Sequence, residues 1–117
     1  MVLKMELTGI QKFKAMNDKH ENLKNCEGLI IKPVAFHIHN YEDNKGKEHT
    51  VLVILNGHDQ KMYKTEVAAF IEKFTKYDDA FGDMPDDEKP DIVITLLESK
   101  AGNKYVGFDL VEANAEG

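Results

Sequence analysis

Residues 29–39 read LIIKPVAFHIH, and residues 49–57 read HTVLVILNG. In the first stretch Ile30, Val34, Phe36 and Ile38 fall on one face of an extended chain, interrupted by Lys32. Leu29, Ile31, Pro33, Ala35, His37 and His39 fall on the other. Pro33 has no N–H to give to a ladder, so this long strand is expected to bulge or to lie at an edge there. The second stretch is apolar on both faces over 51–55, the pattern of a strand covered on both sides. Asn56-Gly57 then signals a hairpin, and a short third strand follows at about residues 60–63.

Outward from these strands, Thr65 reads as a helix N-cap, with Glu66 favourably placed in the first turn. Val67, Phe70, Ile71 and Phe74 at i, i+3, i+4 and i+7 mark an amphipathic helix of about three turns ending near Tyr77. Residues 78–89 are acidic, contain Gly82 and Pro85, and read as a loop closed by Pro90. Residues 91–98 and 105–111 form a second pair of strands about a turn at 99–104, with Val106, Phe108 and Leu110 on one face. Before the first strand, Leu3, Leu7, Ile10 and Phe13 follow a loose helical spacing weakened by Gly9, and residues 17–27 are polar and loop-like. Three strands, a helix and two strands, the first strand long, give a mainly β fold class: a five-stranded OB-fold barrel with one helix between strands 3 and 4. The chain divides into an N-terminal extension packed on the barrel (1–28), the OB-fold domain (29–111) and a flexible tail (112–117).

With 117 residues the chain is one domain's worth and long enough for a core without staples. The single cysteine, Cys26, excludes an intrachain disulfide and a CxxC motif. No apolar run approaches the ~20 residues that span a bilayer, and the first residues lack an apolar leader. The expectation is a soluble, cytoplasmic protein with no membrane partner. Its net charge of −6 argues on its own against nucleic acid, but the charge is uneven. Residues 1–40 hold six lysines and four acids, 41–77 six and six, 78–98 one lysine and eight acids, and 99–117 two lysines and three acids. The acidity is mainly one segment, and phosphate feels local charge because the Debye length is only ~8 Å at physiological salt. All fifteen basic residues are lysine. Lysine lacks the planar fork that reads guanine bidentately, so any nucleic-acid binding is expected to be indifferent to sequence.

In an OB-fold, oligonucleotides cross strands two and three between the first–second and fourth–fifth loops. Here those loops are 40–48 and 99–104. They carry Lys45, Lys47, Lys100 and Lys104, with Tyr41 and Tyr105 at the adjoining strand ends; Lys61, Tyr63 and Lys64 come from the third strand. Lysines meet phosphates, and each tyrosine face stacks a base for roughly 1–3 kcal/mol. His37 and His39 share a strand face, but zinc needs further ligands, and His20, His49, His58 and Cys26 offer no tight ligand spacing. These histidines are expected to line the groove rather than hold a metal. Asp86, Asp87 and Glu88 lack the spacing of a calcium loop. No phosphate-cradling, dinucleotide or nucleophile-elbow motif is present, so neither an enzyme nor a cofactor is expected.

The stretches Leu23-Lys24-Asn25 with Gly28, Asn56-Gly57 with Tyr63-Lys64-Thr65, and Ser99-Lys100-Ala101-Gly102-Asn103-Lys104-Tyr105 before a strand reaching Leu110 resemble the pattern L-K-N-x-x-G, D-G…S-K-T, G-K-S-x-x-G-x-x-[FY]. That is the pattern of the small single-stranded DNA-binding proteins of phages and prophages of low-GC Gram-positive bacteria. The resemblance spans about residues 12–110. Tyr63 stands where the family tends to have Ser, and Glu98 where it tends to have Gly. The resemblance implies an OB-fold that coats single-stranded DNA in phage replication or recombination, without catalysis and beside other replication or recombination proteins. The last residues, Glu112-Ala113-Asn114-Ala115-Glu116-Gly117, lack the Pro-Phe ending of acidic tails in bacterial relatives. Two other readings compete: a protein-interaction module docking a basic partner through the acidic loop 78–89, and a metal-dependent enzyme built on His37 and His39. OB modules often self-associate to lengthen a track, but no sequence feature here fixes a copy number.

Overall fold

The computed structural model describes residues 5–111, so the expected tail at 112–117 lies outside the described residues. The chain is mainly β, with two helices and two sheets. In order come α1 (Gly9–Asn17), β1 (Glu21–Asn22), a 3-10 turn (Leu23–Asn25), β2 (Ile30–Ile31), β3 (Pro33–Glu42), β4 (Glu48–Asn56) and β5 (Met62–Thr65). Then follow α2 (Ala68–Phe81), a second 3-10 turn (Asp86–Glu88), β6 (Asp91–Glu98) and β7 (Lys104–Val111). One sheet runs β1-β5-β4-β3 and the other β2-β6-β7.

β2 and β3 are one length of chain that serves both sheets. Ile30 and Ile31 pair with Val93 and Ile92, and from Pro33 onward the partner is β4. The register shifts between Pro33 and Ala35, where the missing proline N–H was expected to interrupt the ladder. The shift changes which residues face the core: Ile31 points inward before it and Phe36 after it, while Ile30 is left exposed. An extra residue in one strand turns every later side chain to the opposite face. The single face expected for Ile30, Val34, Phe36 and Ile38 is thereby broken: Phe36 and Ile38 join the main core, and Val34 packs on the other side of the sheet.

Two apolar clusters explain the continuous run in β4. Leu52 and Ile54 enter the main core with Phe36, Tyr63, Phe70, Phe74, Ile92, Ile94, Val106 and Phe108. Val51, Val53 and Leu55 face the opposite way, onto a smaller cluster with Leu7, Ala15 and Ala35. α1 therefore lies over the outer face of the four-stranded sheet. Its start is fixed by a capping box, in which Thr8 accepts from the Gln11 N–H and the Gln11 side chain accepts from the Thr8 N–H.

Three expectations need correction. The five-stranded barrel is not closed: among the described residues β5 and β7 share no ladder. The reason is local. β5 is four residues long, and its free edge is taken by β1, with Glu21 opposite Tyr63 and Asn22 opposite Lys64 in parallel. Fully buried Leu23 fills the seam between β5 and β7. Secondly, residues 17–27 are not simply a loop, since they carry this strand and the Leu23 plug. Thirdly, α2 starts later and ends later than its apolar spacing implied. Its N-cap is Val67 without a side-chain cap, while the Thr65 hydroxyl accepts from the Val67 N–H at 3.2 Å. The helix then takes up 78–81, the first part of the expected acidic loop.

Candidate nucleic-acid interface

The two hairpin loops expected to frame a groove share one hydrogen-bonding plan. The Asp43 N–H donates to Lys47 O (2.9 Å) and the Gly46 N–H to Asp43 O (3.0 Å); Ser99 to Asn103 O (2.8 Å) and Gly102 to Ser99 O (2.9 Å) repeat it. The side chain at the first position closes each loop: Asp43 accepts from the Lys45 and Lys47 N–H groups, and Ser99 from the Asn103 N–H. Gly46 (φ +80°) and Gly102 (φ +86°) occupy the left-handed position that this turn requires. Lys45, Lys47 and Lys100 are thus exposed on short, ordered tips.

Between and beside the loops lie three clefts that run on from one another. The middle one, about 470 Å³, is lined by Met16, His39, Tyr41, Lys64 and Glu66 among others. Through Glu66 it adjoins a cleft of about 510 Å³ at the β5–β7 seam, lined by Lys24, Leu96, Lys104 and Tyr105. Through His20 it adjoins one of about 330 Å³, lined by Lys19, Glu21 and Lys61. Lys19, Lys24, Lys61, Lys64 and Lys104 line this belt against Asp18, Glu21 and Glu66, so its wall is net positive on a chain of net charge −6. Lys45, Lys47 and Lys100 line none of the three clefts. The belt is consequently narrower than the sequence-based set of lysines.

Tyr41 and Tyr105 are 43% and 37% exposed, with rings available at the middle cleft and at the seam. Tyr63 is different. It is 7% exposed, sits in the main core, and donates its hydroxyl to Asp59 at 2.5 Å. Burial first and the Asp59 bond second push its pKa up to about 12. Although it borders the third cleft, it is too buried to offer a ring face for stacking, and the sequence-based expectation there is corrected: strand alternation puts Lys64 outward and therefore Tyr63 inward.

A small network anchors the middle of the belt. The Tyr41 ring stacks on His49 at 4.8 Å, and its hydroxyl donates to Glu66 at 3.0 Å. His49 is held between two carboxylates, Nε2 to Asp43 and Nδ1 to Glu66, each at 2.9 Å. The Asp43 bond, outweighing partial desolvation and seconded by Glu66, raises the His49 pKa above its ordinary value. In return the His49 bond, then the Lys47 and Lys45 N–H groups, lowers that of Asp43. One imidazole thereby ties the first hairpin loop to the start of α2. His37 and His39 stack on each other at 5.6 Å; burial, and for His37 also its neighbour, lowers both pKa values. His39 lines the middle cleft, whereas His37 lines none of the three. Among the described residues no group of three or more His, Cys, Asp or Glu side chains is arranged to hold a metal ion.

The acidic segment lies elsewhere. Asp87, Glu88, Lys89 and Asp91 line a separate cleft with Lys32, Phe81 and Met84, which shares no residue with the belt. The cations there are already engaged: Lys32 reaches Asp91 (3.1 Å) and Lys89 O (2.9 Å), and buried Lys89 pairs with Asp86 at 2.7 Å.

Sequence reasoning missed Lys19, His20, Lys24 and Glu66 as lining residues. The first three lie in the polar stretch whose strand pairing has no apolar signal, and Glu66 was read only as a helix-dipole acid. Comparison with protein-family models, curated proteins and solved structures finds no match to this chain. Among the described residues no helix is long and apolar enough to cross a membrane.

Proposed function

We propose that this protein binds single-stranded DNA without sequence choice and without catalysis, on an OB-like frame. The frame reading is supported by the strand connectivity: a long strand shared by two sheets, a hairpin partner, a short third strand, a helix, and a second hairpin returning to the long strand. In that reading Leu23 occupies the seam that a third-to-fifth strand ladder would close. The observation that carries the function is the belt itself. Five lysines and two exposed tyrosines line adjoining clefts, and none of the acids of residues 78–98 lines them. Amines spaced along a groove neutralise a phosphate backbone, and aromatic faces stack any base, which gives affinity without base readout. Tyr41, braced by its stack on His49, is 43% exposed and lines the middle cleft. The seam cleft pairs Tyr105 with Lys24 and Lys104, a stacking surface beside two phosphate partners. Action in phage replication or recombination, in the cytoplasm of a bacterial host, follows from the resemblance of the three short motifs and is part of the proposal.

The test is a gel-shift series with oligo-dT, duplex DNA and single-stranded RNA at low salt. Binding of oligo-dT well above duplex, weakened at least tenfold by Tyr105→Ala with Tyr41→Ala, supports the reading. No shift of oligo-dT at low salt refutes it.

A further inference from the structure

Helix α1 is packed the opposite way from a helix that serves only its own domain. Its one buried side chain is the small Ala15. Ile10 and Phe13, at i and i+3, are 74% and 65% exposed, and Met16, 51% exposed, continues the stripe to the rim of the middle cleft. Lys12 and Lys14 flank Phe13, and the helix contains no acid. Lys12 lies 3.5 Å from Glu6, whereas Lys14 has no acidic partner among the described residues. An exposed apolar stripe with a polar rim marks a contact surface.

The lobe at 82–88 has the complementary chemistry. Exposed Met84 and half-buried Phe81 line one cleft with Asp87 and Glu88. Asp86 is paired with Lys89, but Asp87 and Glu88 have no side-chain partner among the described residues. We propose that α1 of one copy docks the acidic lobe of a second copy, with Met84 against the Phe13 stripe and Asp87 and Glu88 facing Lys12 and Lys14. Charge chooses this pairing over α1 against α1, which would bring the lysines of both copies together. Two different patches meet, so the contact is head-to-tail, and each copy keeps one unused patch of each kind to which a further copy adds, in a row or a ring. If the belt carries single-stranded DNA, such a row lays successive belts along one strand and makes binding cooperative. That consequence rests on the proposed function; the contact does not.

The experiment therefore leaves DNA out. Sedimentation equilibrium of the full chain at low salt is expected to give an average mass that climbs with concentration past that of a dimer and falls when salt is added. Lys12→Glu with Lys14→Glu, and separately Asp87→Lys with Glu88→Lys, are each expected to stay monomeric. Mixing the two variants is expected to restore association, because each reversed face then meets a complementary one. Met84→Ser checks the contact without altering charge and is expected to weaken association at least fivefold, with circular dichroism confirming the fold of each variant. A wild-type chain that remains monomeric throughout, or association that survives charge reversal, overturns the proposal.

Discussion

The two helices put similar side chains to opposite uses. α2 turns Phe70, Phe74 and Tyr77 into the main core, where Phe74 meets Phe36 edge-on at 4.9 Å and stacks on Tyr77 at 5.4 Å. α1 inserts Ala15 alone and holds Ile10 and Phe13 out to solvent. α2 is part of the fold, whereas α1 is a surface laid on a sheet that is already complete. The hydrophobic period states that a helix has an apolar side; it does not state whether that side faces its own chain.

The sharpest way to break this comparison is to truncate one ring on each helix. Phe74→Ala is expected to cost about 3–5 kcal/mol of unfolding free energy, through lost burial and the cavity left behind. Phe13→Ser is expected to stay within about 0.5 kcal/mol of wild type. Urea melts of the two variants decide it, and a Phe13→Ser loss as large as that of Phe74→Ala would contradict the assignment of α1 to the surface. Leu23→Ala comes next, at about 2–5 kcal/mol, because a polar segment holds a residue that is wholly buried in the seam. Smaller again is Thr8→Ala, which removes the N-cap of α1 and is expected to cost about 1 kcal/mol. Hydrogen exchange is expected to show that loss in α1 amides with α2 unaffected.

The smallest expected effect is on pH dependence. The His49 pKa is raised, so its bridge is fully present below the ordinary imidazole value of about 6.5 and is lost as pH rises through the folded value. The Asp43 pKa is lowered, so its share is present above the ordinary carboxyl value of about 3.9 and is lost as pH falls through the folded value. The bridge is therefore strongest in mildly acid solution. An NMR titration of His49 is expected to give a midpoint above 6.5 (its ordinary value) that returns toward it in Asp43→Asn. A midpoint below that value would contradict the network.

The strands were legible because alternation, Pro33 and the doubly apolar 51–55 run each have a direct structural cause. β6, expected at 91–98, spans Asp91–Glu98. The glycines at 46 and 102 sit in the two hairpin loops that the sequence marks as turns. Three features were not legible. The interruption at Pro33 was expected, but not the exchange of faces after it, which only the pairing geometry reveals. β1 is a two-residue parallel strand without an apolar pattern, so neither it nor the barrel edge it occupies leaves a trace in composition. Tyr63 and Lys64 are adjacent on one strand, and choosing which of them faces the core required knowing which side α1 covers. Lys61, Lys64 and Lys104, named from the sequence as phosphate contacts, line the clefts, together with Lys19 and Lys24, which lie beside that unmarked strand and were missed.

The most direct test of the belt is the salt dependence of oligo-dT binding, followed by fluorescence for the wild type and for Lys64→Ala with Lys104→Ala. Five lysines each neutralising a phosphate give a log–log slope of about −3.5, at about −0.7 per phosphate. The double variant is expected to flatten it by about 1.4, two phosphates' worth. A slope near zero, or one that the double variant leaves unchanged, would contradict the claim that this groove carries the strand.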